Sequence, residues 1–427
     1  MRNYRLQILL LVFCSMTFGS YAQFTLSGEI RPRAEYRHGF RALAEEDQRT
    51  AFFIDQRSRL NLDYKSEKFI VKITLQDVRT WGSQSQLVTD DGELTTLHEA
   101  WGQVMLSDRF SLKMGRQEII LDDHRIFGNV GWLQQARSHD GAIVKYEDKG
   151  LKVDLGLAFN QNGPQSTTSF YSVPNSYKTL QYLWAHKNME KFTGSFLFLN
   201  NGLQGGDPDD YKTYFSQTIG SRLGFKDSRF NSHLAFYYQT GKEPTNETKI
   251  NATLASFDVR YMITDKTSAL VGVELISGND EVSPNGKNNA FNPFYGTNHK
   301  FNGLMDYFYV GNHANSVGLQ DFLFQVKSKV AKVNATFDLH LFFSEGEVMD
   351  TQENVGMDKY LGTEVDVVFD YNFSKLINFK LGYSQMFGSE TMEVLRGGDR
   401  DATSNWAWTM ITIKPTFFTT AKDDGKH

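Results

Sequence analysis

The sequence predicts an all-β protein, a membrane-spanning antiparallel β-barrel of about 18 strands. Three observations predict this fold. Apolar and polar residues alternate with period two along most of the chain, short and long connections alternate between these runs, and no apolar run beyond the N-terminal segment is long enough for a membrane helix. A closed barrel accounts for all three, because it leaves no free sheet edge and presents one face to lipid and the other to a wet interior.

Residues 1–22 are predicted to be a cleaved secretory signal peptide. Arg2 and Arg5 form a short positive region, and the apolar run that follows is too short to cross a bilayer as a helix. Ser20-Tyr21-Ala22 is a small-x-small cleavage signal. We therefore expect the protein to be exported to the bacterial outer membrane.

The exported chain is predicted to be one barrel domain, residues 23–418, followed by a polar tail, residues 419–427. No Pro/Ser-rich linker divides it, and its only cysteine, Cys14, lies in the signal peptide, so no disulfide framework is expected. Removing Arg2 and Arg5 takes the formal net charge from −5 to −7. A negative chain offers no global attraction to nucleic acid, and no cofactor is predicted.

The first strand, residues 24–37, shows the pattern most clearly. One face carries Phe24, Leu26, Gly28, Ile30, Pro32, Ala34 and Tyr36, and the other carries Thr25, Ser27, Glu29, Arg31, Arg33, Glu35 and Arg37. A run of charges of both signs suits a wet lumen, whereas the apolar face suits lipid.

Similar runs follow along the chain. The predicted strands are 24–37, 52–65, 68–79, 94–106, 109–120, 135–147, 150–160, 178–187, 192–200, 212–226, 229–241, 250–263, 267–278, 317–330, 332–345, 361–373, 376–388 and 405–418. The predicted long connections are 38–51, 80–93, 121–134, 161–177, 201–211, 242–249, 279–316, 346–360 and 389–404. Short polar turns separate the remaining strands. Short periplasmic turns and long outer loops are typical of outer-membrane barrels.

The most distinctive stretch runs from Gly115 to Tyr146. A strand ends at Gly115-Arg116-Gln117, a loop holds Asp122-Asp123-His124-Arg125 and Trp132, and the next strand brings Arg137. The other characteristic segments are 97–101, 278–280, 291–296, 299–303, Asp306, 360–366 and 382–384. Together these segments resemble the alginate-export family of outer-membrane β-barrels. The resemblance implies an eighteen-stranded barrel whose charged, arginine-rich lumen conducts an anionic polysaccharide outward.

The position of each residue in the alternation of its strand, which we call strand parity, assigns many charged residues to the lumen. The basic candidates are Arg31, Arg33, Arg57, Arg59, Lys72, Lys113, Arg137, Lys152, Arg222, Arg260, Lys327, Lys329 and Lys380. The acidic candidates are Glu29, Asp55, Asp63, Glu99, Asp154, Asp258, Glu274, Asp338, Glu364 and Asp366. Arg116 follows the apolar face by parity, but the resemblance places it in the pore. Arginine binds carboxylates bidentately, so we expect Arg57, Arg59, Arg116 and Arg137 to contribute to a positive constriction. Alternatively, many of these charges are paired across strands and fill the barrel.

The long loops supply further candidates, which are Asp122, Asp123, Arg125, Trp132, Tyr295, His299 and Asp306. Asp122-Asp123-His124 matches no dedicated metal loop, so a salt-bridge network with Arg125 is expected in place of a metal site. The aromatic residues of loop 279–316 either bind sugars or pack against one another inside the barrel.

The expected function is therefore a channel for an anionic polysaccharide or oligosaccharide, with outer-membrane lipid and periplasmic export proteins as partners. The alternatives are a general diffusion porin, or a barrel enzyme or adhesin. The sequence has no G-x-S-x-G, no cysteine nucleophile in the exported chain and no H-E-x-x-H, so an enzyme is not expected.

Overall fold

The fold was analysed in a computed structural model, which describes residues 22–87, 92, 94–244, 247–297 and 299–420. The predicted signal peptide, apart from residue 22, lies outside the described residues, and so do residues 421–427 of the predicted polar tail.

Almost all of the regular secondary structure in the described residues is β-strand. The strands are β1 (Gln23–His38), β2 (Ala51–Lys65), β3 (Phe69–Thr80), β4 (Thr95–Met105), β5 (Phe110–Gln117), β6 (His139–Asp148), β7 (Leu151–Phe159), β8 (Thr179–Met189), β9 (Phe192–Asp207), β10 (Asp210–Lys226), β11 (Phe230–Lys242), β12 (Lys249–Met262), β13 (Thr267–Ile276), β14 (Leu319–Val330), β15 (Val333–Phe343), β16 (Met349–Asp350), β17 (Val355–Gly356), β18 (Tyr360–Asn372), β19 (Ile377–Gly388), β20 (Ser404–Ile413) and β21 (Thr416–Thr419). A 3-10 turn, Val310–Asn312, precedes β14, and one short α-helix, α1 (Glu390–Arg396), precedes β20.

The strands form a closed antiparallel barrel. Each wall strand pairs with its neighbours in sequence, and β1 closes the ring by pairing with β2 on one side and with β20 and β21 on the other. β20 and β21 follow one another along β1 and together fill one position, so the barrel has 18 strands, as predicted. The predicted strand 405–418 is interrupted at Lys414 and Pro415, because proline has no N–H to donate to the ladder.

The connections alternate in length as expected, with one exception. Eight short turns lie at one rim, and long loops lie at the other. The predicted long loop 201–211 is wrong, because β9 and β10 continue as a paired hairpin as far as Asp207 and Asp210. The adjacent loop supports this extension, since Gln204 Nε2 donates to Tyr171 O (2.9 Å) and Tyr171 N donates to Gln204 Oε1 (3.0 Å). The small hairpin β16–β17 and helix α1 lie within the last two long loops.

The two faces of the wall differ as the alternation predicts. Along β10, Phe215, Ile219 and Leu223 are 42%, 40% and 54% exposed, whereas Ser216 and Thr218 between them are 4% and 0% exposed. Large apolar side chains are exposed in the same way on most other wall strands. The outer surface is therefore an apolar band, and the polar residues face the interior.

Pairs of aromatic rings mark the rim with the short turns. They are Tyr64–Phe69, Phe110–Tyr146, Phe192–Phe225, Phe230–Tyr261 and Tyr371–Phe379, with ring centroids 4.9–6.4 Å apart. Each pair joins residues near the ends of neighbouring strands. A ring of aromatic residues at this height corresponds to the aromatic girdle of membrane barrels.

The buried core lies inside the barrel. Two loops from the opposite rim fold into the lumen, and we call them loop A (residues 118–138) and loop B (residues 277–318). Phe127 of loop A and Phe291, Met305 and Tyr307 of loop B are 0% exposed. The two loops also pair directly, through an isolated bridge between Phe127 and Tyr295. Their contacts position the candidate site.

Candidate functional site

Loop A is held in the lumen by arginines of the barrel wall. The Arg31 guanidinium donates to the carbonyl oxygens of Gly131 (2.7 Å), Trp132 (3.1 Å) and Leu133 (3.2 Å), and to Gln134 Oε1 (2.8 Å). A guanidinium presents several donors in a fixed plane, so it can gather the carbonyls of a turn. Because of this contact, Arg31 is only 7% exposed.

Arg33 and Arg57 lie beside Arg31 and carry ion pairs. Arg33 Nε is 2.7 Å from Glu35 Oε1, and its Nη2 is 3.1 Å from Asp55 Oδ2. Arg57 Nε donates to Glu29 Oε1 (2.7 Å). These two arginines therefore agree with the alternative that lumen charges are paired across strands.

Trp132 is the centre of an aromatic cluster at the same level. Its ring stacks on His299 with centroids 4.2 Å apart, and it meets Trp406 and Trp408 edge-on at 5.6 and 4.7 Å. The Arg33 guanidinium lies 4.2 Å from the centroid of the Trp132 ring. The cluster fixes loop A to loop B and to β20, since aromatic and cation–π contacts of this kind stabilise buried rings.

Four lumen guanidiniums form no ion pair in the described part of the chain: Arg260 on β12, and the three that lie on or near the strands contacting loop A. Arg31 is bonded to carbonyls and a glutamine, Arg59 Nε donates to Gln76 Oε1 (2.8 Å), and Arg137 Nη1 donates to Gly296 O (2.8 Å). Arg59 Nη2 is buried and makes no hydrogen bond. Burial lowers the pKa of Arg137 in loop A to about 10, which still leaves it charged at neutral pH. These three guanidiniums are therefore held by neutral oxygen acceptors and not by carboxylates.

Several carboxylates line another part of the wall, formed by β13, β14, β15 and β18, which we call the acidic wall. Glu274, Asp321, Asp338, Glu364 and Asp366 face the lumen from β13, β14, β15 and β18. His340 Nδ1 lies 2.9 Å from Asp321 Oδ1, and Arg125 of loop A forms an ion pair with Glu274. A cavity of about 150 Å³ opens between this wall and loop B, lined in part by Asp321, Asp338 and His340. The carboxylates of this wall are thus met by basic side chains, Arg125 from loop A and His340 from β15.

Loop B lies directly on the acidic wall. Met305 N donates to Glu364 Oε1 (2.7 Å), and Asn302 Nδ2 donates to Glu274 Oε2 (2.7 Å) and Asp321 Oδ2 (3.0 Å). Gly303 makes this approach possible, because it has φ +86° and a Cβ there would lie 2.6 Å from Glu364 Oε2. Asp366 accepts a hydrogen bond from Ser384.

The acidic residues of loop A do not form the predicted salt-bridge network with Arg125, and their partners lie on separate strands of the wall. Arg125 pairs with Glu274, whereas Asp123 pairs with Arg222 (3.1 Å) and Asp122 accepts from Trp184 Nε1 (3.2 Å). The prediction is wrong in this respect because Asp122 and His124 have left-handed backbones, with φ 49° and 75°. The tight turn sends successive side chains to different walls.

Arg116 lies outside the lumen, which corrects the position implied by the resemblance. It is paired in register with Asp140, and their side chains form an ion pair at 2.8 Å, 43% and 61% exposed. The next residue, Gln117, is 0% exposed and takes the inward position. Parity alone gave the right face, because the positive φ of Gly115 (121°) does not reverse the alternation.

The remaining predicted wall residues line the lumen nearer the short turns. Lys72 is 3.3 Å from Glu99, and Lys113 lies 4.0 Å from the centroid of the Trp101 ring. Arg260 donates to Ser268 Oγ (3.0 Å) and to Gln325. Ion pairs also join Lys152 to Glu147 and Lys380 to Asp370.

The aromatic residues of loop B pack inside the barrel. Phe291, Tyr307 and Phe308 are 0%, 0% and 3% exposed, and the Tyr295 ring contacts Phe127 with centroids 5.5 Å apart. His299 Nδ1 lies 3.2 Å from Asp306 Oδ1, both buried. Of the two interpretations of this loop, the structure shows the packed one.

Two lumen residues with buried polar contacts, Gln134 and Asp321, were not predicted as site residues. Gln134 bonds to Arg31 and to Asp55 Oδ1 (2.9 Å), and Asp321 binds His340. The lumen position of Asp321 follows from the parity of β14, which could have identified it. For Gln134 no local signal exists, because its partners are about a hundred residues away in sequence.

Two further observations concern the described residues. No helix among them is long and apolar enough to cross a membrane. Within the same ranges, no group of three or more His, Cys, Asp or Glu residues could hold a metal ion.

Solved structures with the same fold are bacterial outer-membrane porins. OccAB4 of Acinetobacter baumannii has a TM-score of 0.60 and 11% identity, covering 93% of this chain and 99% of that one. A BenF-like porin of Pseudomonas fluorescens Pf-5 has a TM-score of 0.59 and 12% identity, covering 92% and 99%. OpdK of Pseudomonas aeruginosa, solved with vanillate, has a TM-score of 0.58 and 12% identity, covering 92% and 99%. At these identities the likeness shows the fold alone. No curated protein sequence matches this chain significantly.

The sequence profile described as alginate export matches residues 22–406, which is most of the chain. The match spans both inward loops and the strands that carry the charged lumen. It agrees with the porin-like barrel, and together they indicate a transport channel of the outer membrane. The chain therefore belongs to the alginate export family.

Proposed function

We propose that the channel conducts an anionic polysaccharide or oligosaccharide, alginate-like in its carboxylate charge. The observation that carries this proposal is a group of three lumen guanidiniums without carboxylate partners, namely Arg31, Arg59 and Arg137. The mature chain is negative, so an anion preference has to come from local placement of charge. Unpaired guanidiniums in a low-dielectric wall provide it, because they attract a passing carboxylate strongly.

We further propose that the barrel spans the membrane with its short turns in the periplasm. The exposed apolar band and the aromatic pairs at one rim support this orientation. A passive barrel has no energy source of its own. Periplasmic partners would therefore deliver the polymer to the mouth at the short turns, and outer-membrane lipid would surround the wall.

The pairing of the lumen charges supports a defined path. Glu274 and Asp321 are already paired with Arg125 and His340, whereas Arg31 and Arg59 have no carboxylate partner and would attract an anion. Loops A and B occupy the middle of the lumen, so passage of a polymer requires at least one of them to move. The contacts of Arg31 and Arg137 with loop carbonyls make the same arginines both ligands for the anion and anchors of the loops.

Charge removal at Arg59 tests the proposal. Arg59→Gln removes a lumen charge, and Arg116→Gln is the matched control because it removes the same charge from the outer face. A unit charge interacts with an anion about 4 Å away by roughly 1–4 kcal/mol, depending on the effective dielectric. We therefore expect Arg59→Gln, and more strongly Arg59→Glu, to shift the reversal potential in a salt gradient towards cations, with Arg116→Gln unchanged.

Substrate class is tested in the same bilayer. Uronate oligosaccharides should reduce the current of the wild-type channel more than neutral glucans of equal length, and Arg59→Glu should abolish this difference. If Arg59→Glu folds and inserts but neither the reversal potential nor the block changes, the protein is a general diffusion porin.

A further inference from the structure

Three lysines lie in a row across the rim that carries the long loops. Lys242 ends β11 and Lys249 begins β12, and the two are paired directly opposite each other in the ladder. Loop B continues the wall beyond Lys249, since Asn288 N donates to Lys249 O (2.9 Å) and Asn251 N donates to Asn288 O (2.8 Å). This pairing brings Lys287 alongside, so the row crosses three neighbouring segments.

The row belongs to the outer face of the barrel. Tyr238 and Asn251 lie on that face and are joined by a hydrogen bond of 3.1 Å, while Ala252 next to Asn251 is buried inside at 0% exposure. Because side chains alternate along a strand, Lys242 shares the face of Tyr238, and Lys249 shares the face of Asn251. All three lysines are exposed, and with Tyr238 and Asn251 they line a shallow cleft.

The charge of this row is only partly balanced by the protein. Lys242 has one ion-pair partner, Glu247 at 3.4 Å, and both side chains are about half exposed. Lys249 and Lys287 form no ion pair with any residue that the structure describes. Like charges placed directly opposite each other destabilise a sheet, so the fold itself gains nothing from the Lys242–Lys249 pair. Such an arrangement indicates an external anion.

The height of the row identifies the source of that anion. Directly below it on the same strands, Phe236 and Phe257 are 53% and 47% exposed and belong to the apolar band. Lys242 follows Tyr238 by four residues, which is roughly 13 Å along the strand, or about 10 Å above it for a tilted strand. An aromatic residue at the membrane boundary with lysines just beyond it places the lysines among lipid headgroups.

We propose that Lys242, Lys249 and Lys287 bind the phosphate groups of a phosphorylated lipid of the outer leaflet. Ammonium groups hold phosphate as compact point charges, and three of them side by side match a doubly charged headgroup. The acyl chains of the same lipid would lie on the apolar band beneath. A lipid fits better than the transported polymer, because the row faces away from the lumen and stands over the apolar surface.

The test is a binding titration of the purified barrel in detergent, read by native mass spectrometry. The probes are diphosphorylated lipid A, the same lipid without its phosphates, and a uronate oligosaccharide. The variant is K242Q/K249Q/K287Q, and the matched control is K68Q/K266Q/K332Q, which removes three exposed lysines from the opposite rim. A lysine near an anionic membrane surface strengthens binding about fivefold, so we expect the variant to bind the phosphorylated lipid about a hundredfold more weakly than the wild type or the control.

Loss of binding to the phosphorylated lipid alone supports the proposal, and unchanged binding overturns it. Stronger binding of the uronate oligosaccharide than of the lipid at this row also overturns it, and would make the row a docking site for the polymer. Lipid binding to the wild type should weaken steeply with added salt, which tests the proposal even without the variant. The reversal potential of K242Q/K249Q/K287Q should equal that of the wild type, so this result is independent of the proposed channel function.

Discussion

At the scale of single residues, ion pairs hold loop A to the barrel wall, and the strength of each pair depends on how deeply it is buried. Arg125 and Glu274 are 7% and 9% exposed and form an ion pair between loop A and β13. Phe301 covers the Arg125 guanidinium at 3.5 Å from the ring centroid. Arg222 and Asp123 join the same loop to β10, but they are 18% and 25% exposed and therefore better solvated. Comparing variants of the two pairs therefore tests how much burial adds to the strength with which an ion pair holds loop A.

We predict that Arg125→Met releases loop A more than Arg222→Met does. Arg125→Met leaves Glu274 buried and unpaired near Asp321, which costs about 3–5 kcal/mol, whereas a more solvated pair contributes about 1 kcal/mol or less. Loop A should then be cleaved by thermolysin at least roughly a hundredfold faster in Arg125→Met than in the wild type, because cleavage follows the population of the released loop. Equal cleavage rates in the two variants would show that the buried pair does not hold the loop.

At the scale of elements, loop B acts as a unit packed on the acidic wall, and it contains a buried histidine. His313 follows the 3-10 turn Val310–Asn312 and is 2% exposed. Burial lowers the pKa of His313 to about 3, and the charges of Arg125 and Arg396 lower it further. Neutral His313 is therefore part of the packed form of the loop, and its protonation favours release.

We predict that acid loosens loop B through His313. A histidine exposed by release has a pKa near 6.5, so the released loop takes up a proton that the packed loop does not. The packing free energy should fall by about 1.4 kcal/mol for each pH unit below pH 6.5, until the pH approaches the packed pKa of about 3. Single-channel records should show openings that become more frequent between pH 6.5 and pH 5. In His313→Gln this part of the pH dependence should be absent, and an unchanged slope would exclude His313 as its source.

At the scale of the whole molecule, the barrel is turned inside out relative to a soluble protein. The middle of its outer surface is apolar, as at Phe257 (47% exposed), and many of the charged residues on the wall strands face inward, as Arg31 and Glu364 do. This arrangement is stable only where lipid covers the wall. An added charge should therefore impair folding into a membrane at an outward-facing position and be tolerated at the inward-facing position next to it on the same strand.

We predict that Phe257→Arg impairs folding into membranes and that Ser256→Arg does not. Phe257 lies in the middle of β12 on the outer face, where an arginine costs about 2–4 kcal/mol at the bilayer midplane. Ser256 lines the lumen cavity beside Asp258 and Glu274, where a positive charge is solvated and attracted. The measurement is the folded fraction in lipid vesicles, read from heat-modifiable gel mobility. A soluble protein would tolerate Phe257→Arg at its surface, so equal folding of the two variants would contradict the membrane barrel.

The order of strands and the direction of most side chains could be predicted from the sequence. The alternation from Phe24 to Arg37 specifies both faces of β1, and parity alone placed Arg116 outside the lumen. These features are local, because a strand has a side-chain period of two whatever its neighbours are. The extension of β9 was missed for the same reason. Its Gly- and Asn-rich end, Asn200 to Asp207, has no apolar alternation and becomes strand only through its pairing with β10.

The contacts of the two inward loops were decided by tertiary structure. Arg31 meets loop A across about a hundred residues of sequence, and Arg125 meets Glu274 across 149. Such pairs form because closing the barrel encloses a space that the long loops can fill, burying Phe127 and Tyr307 there. The alternation of apolar and polar residues does not predict which loop folds into the lumen or which carbonyl oxygens an arginine will contact. The sequence by itself therefore determined the barrel and its charged interior, and only the folded chain decided which of those charges are paired and which have no carboxylate partner.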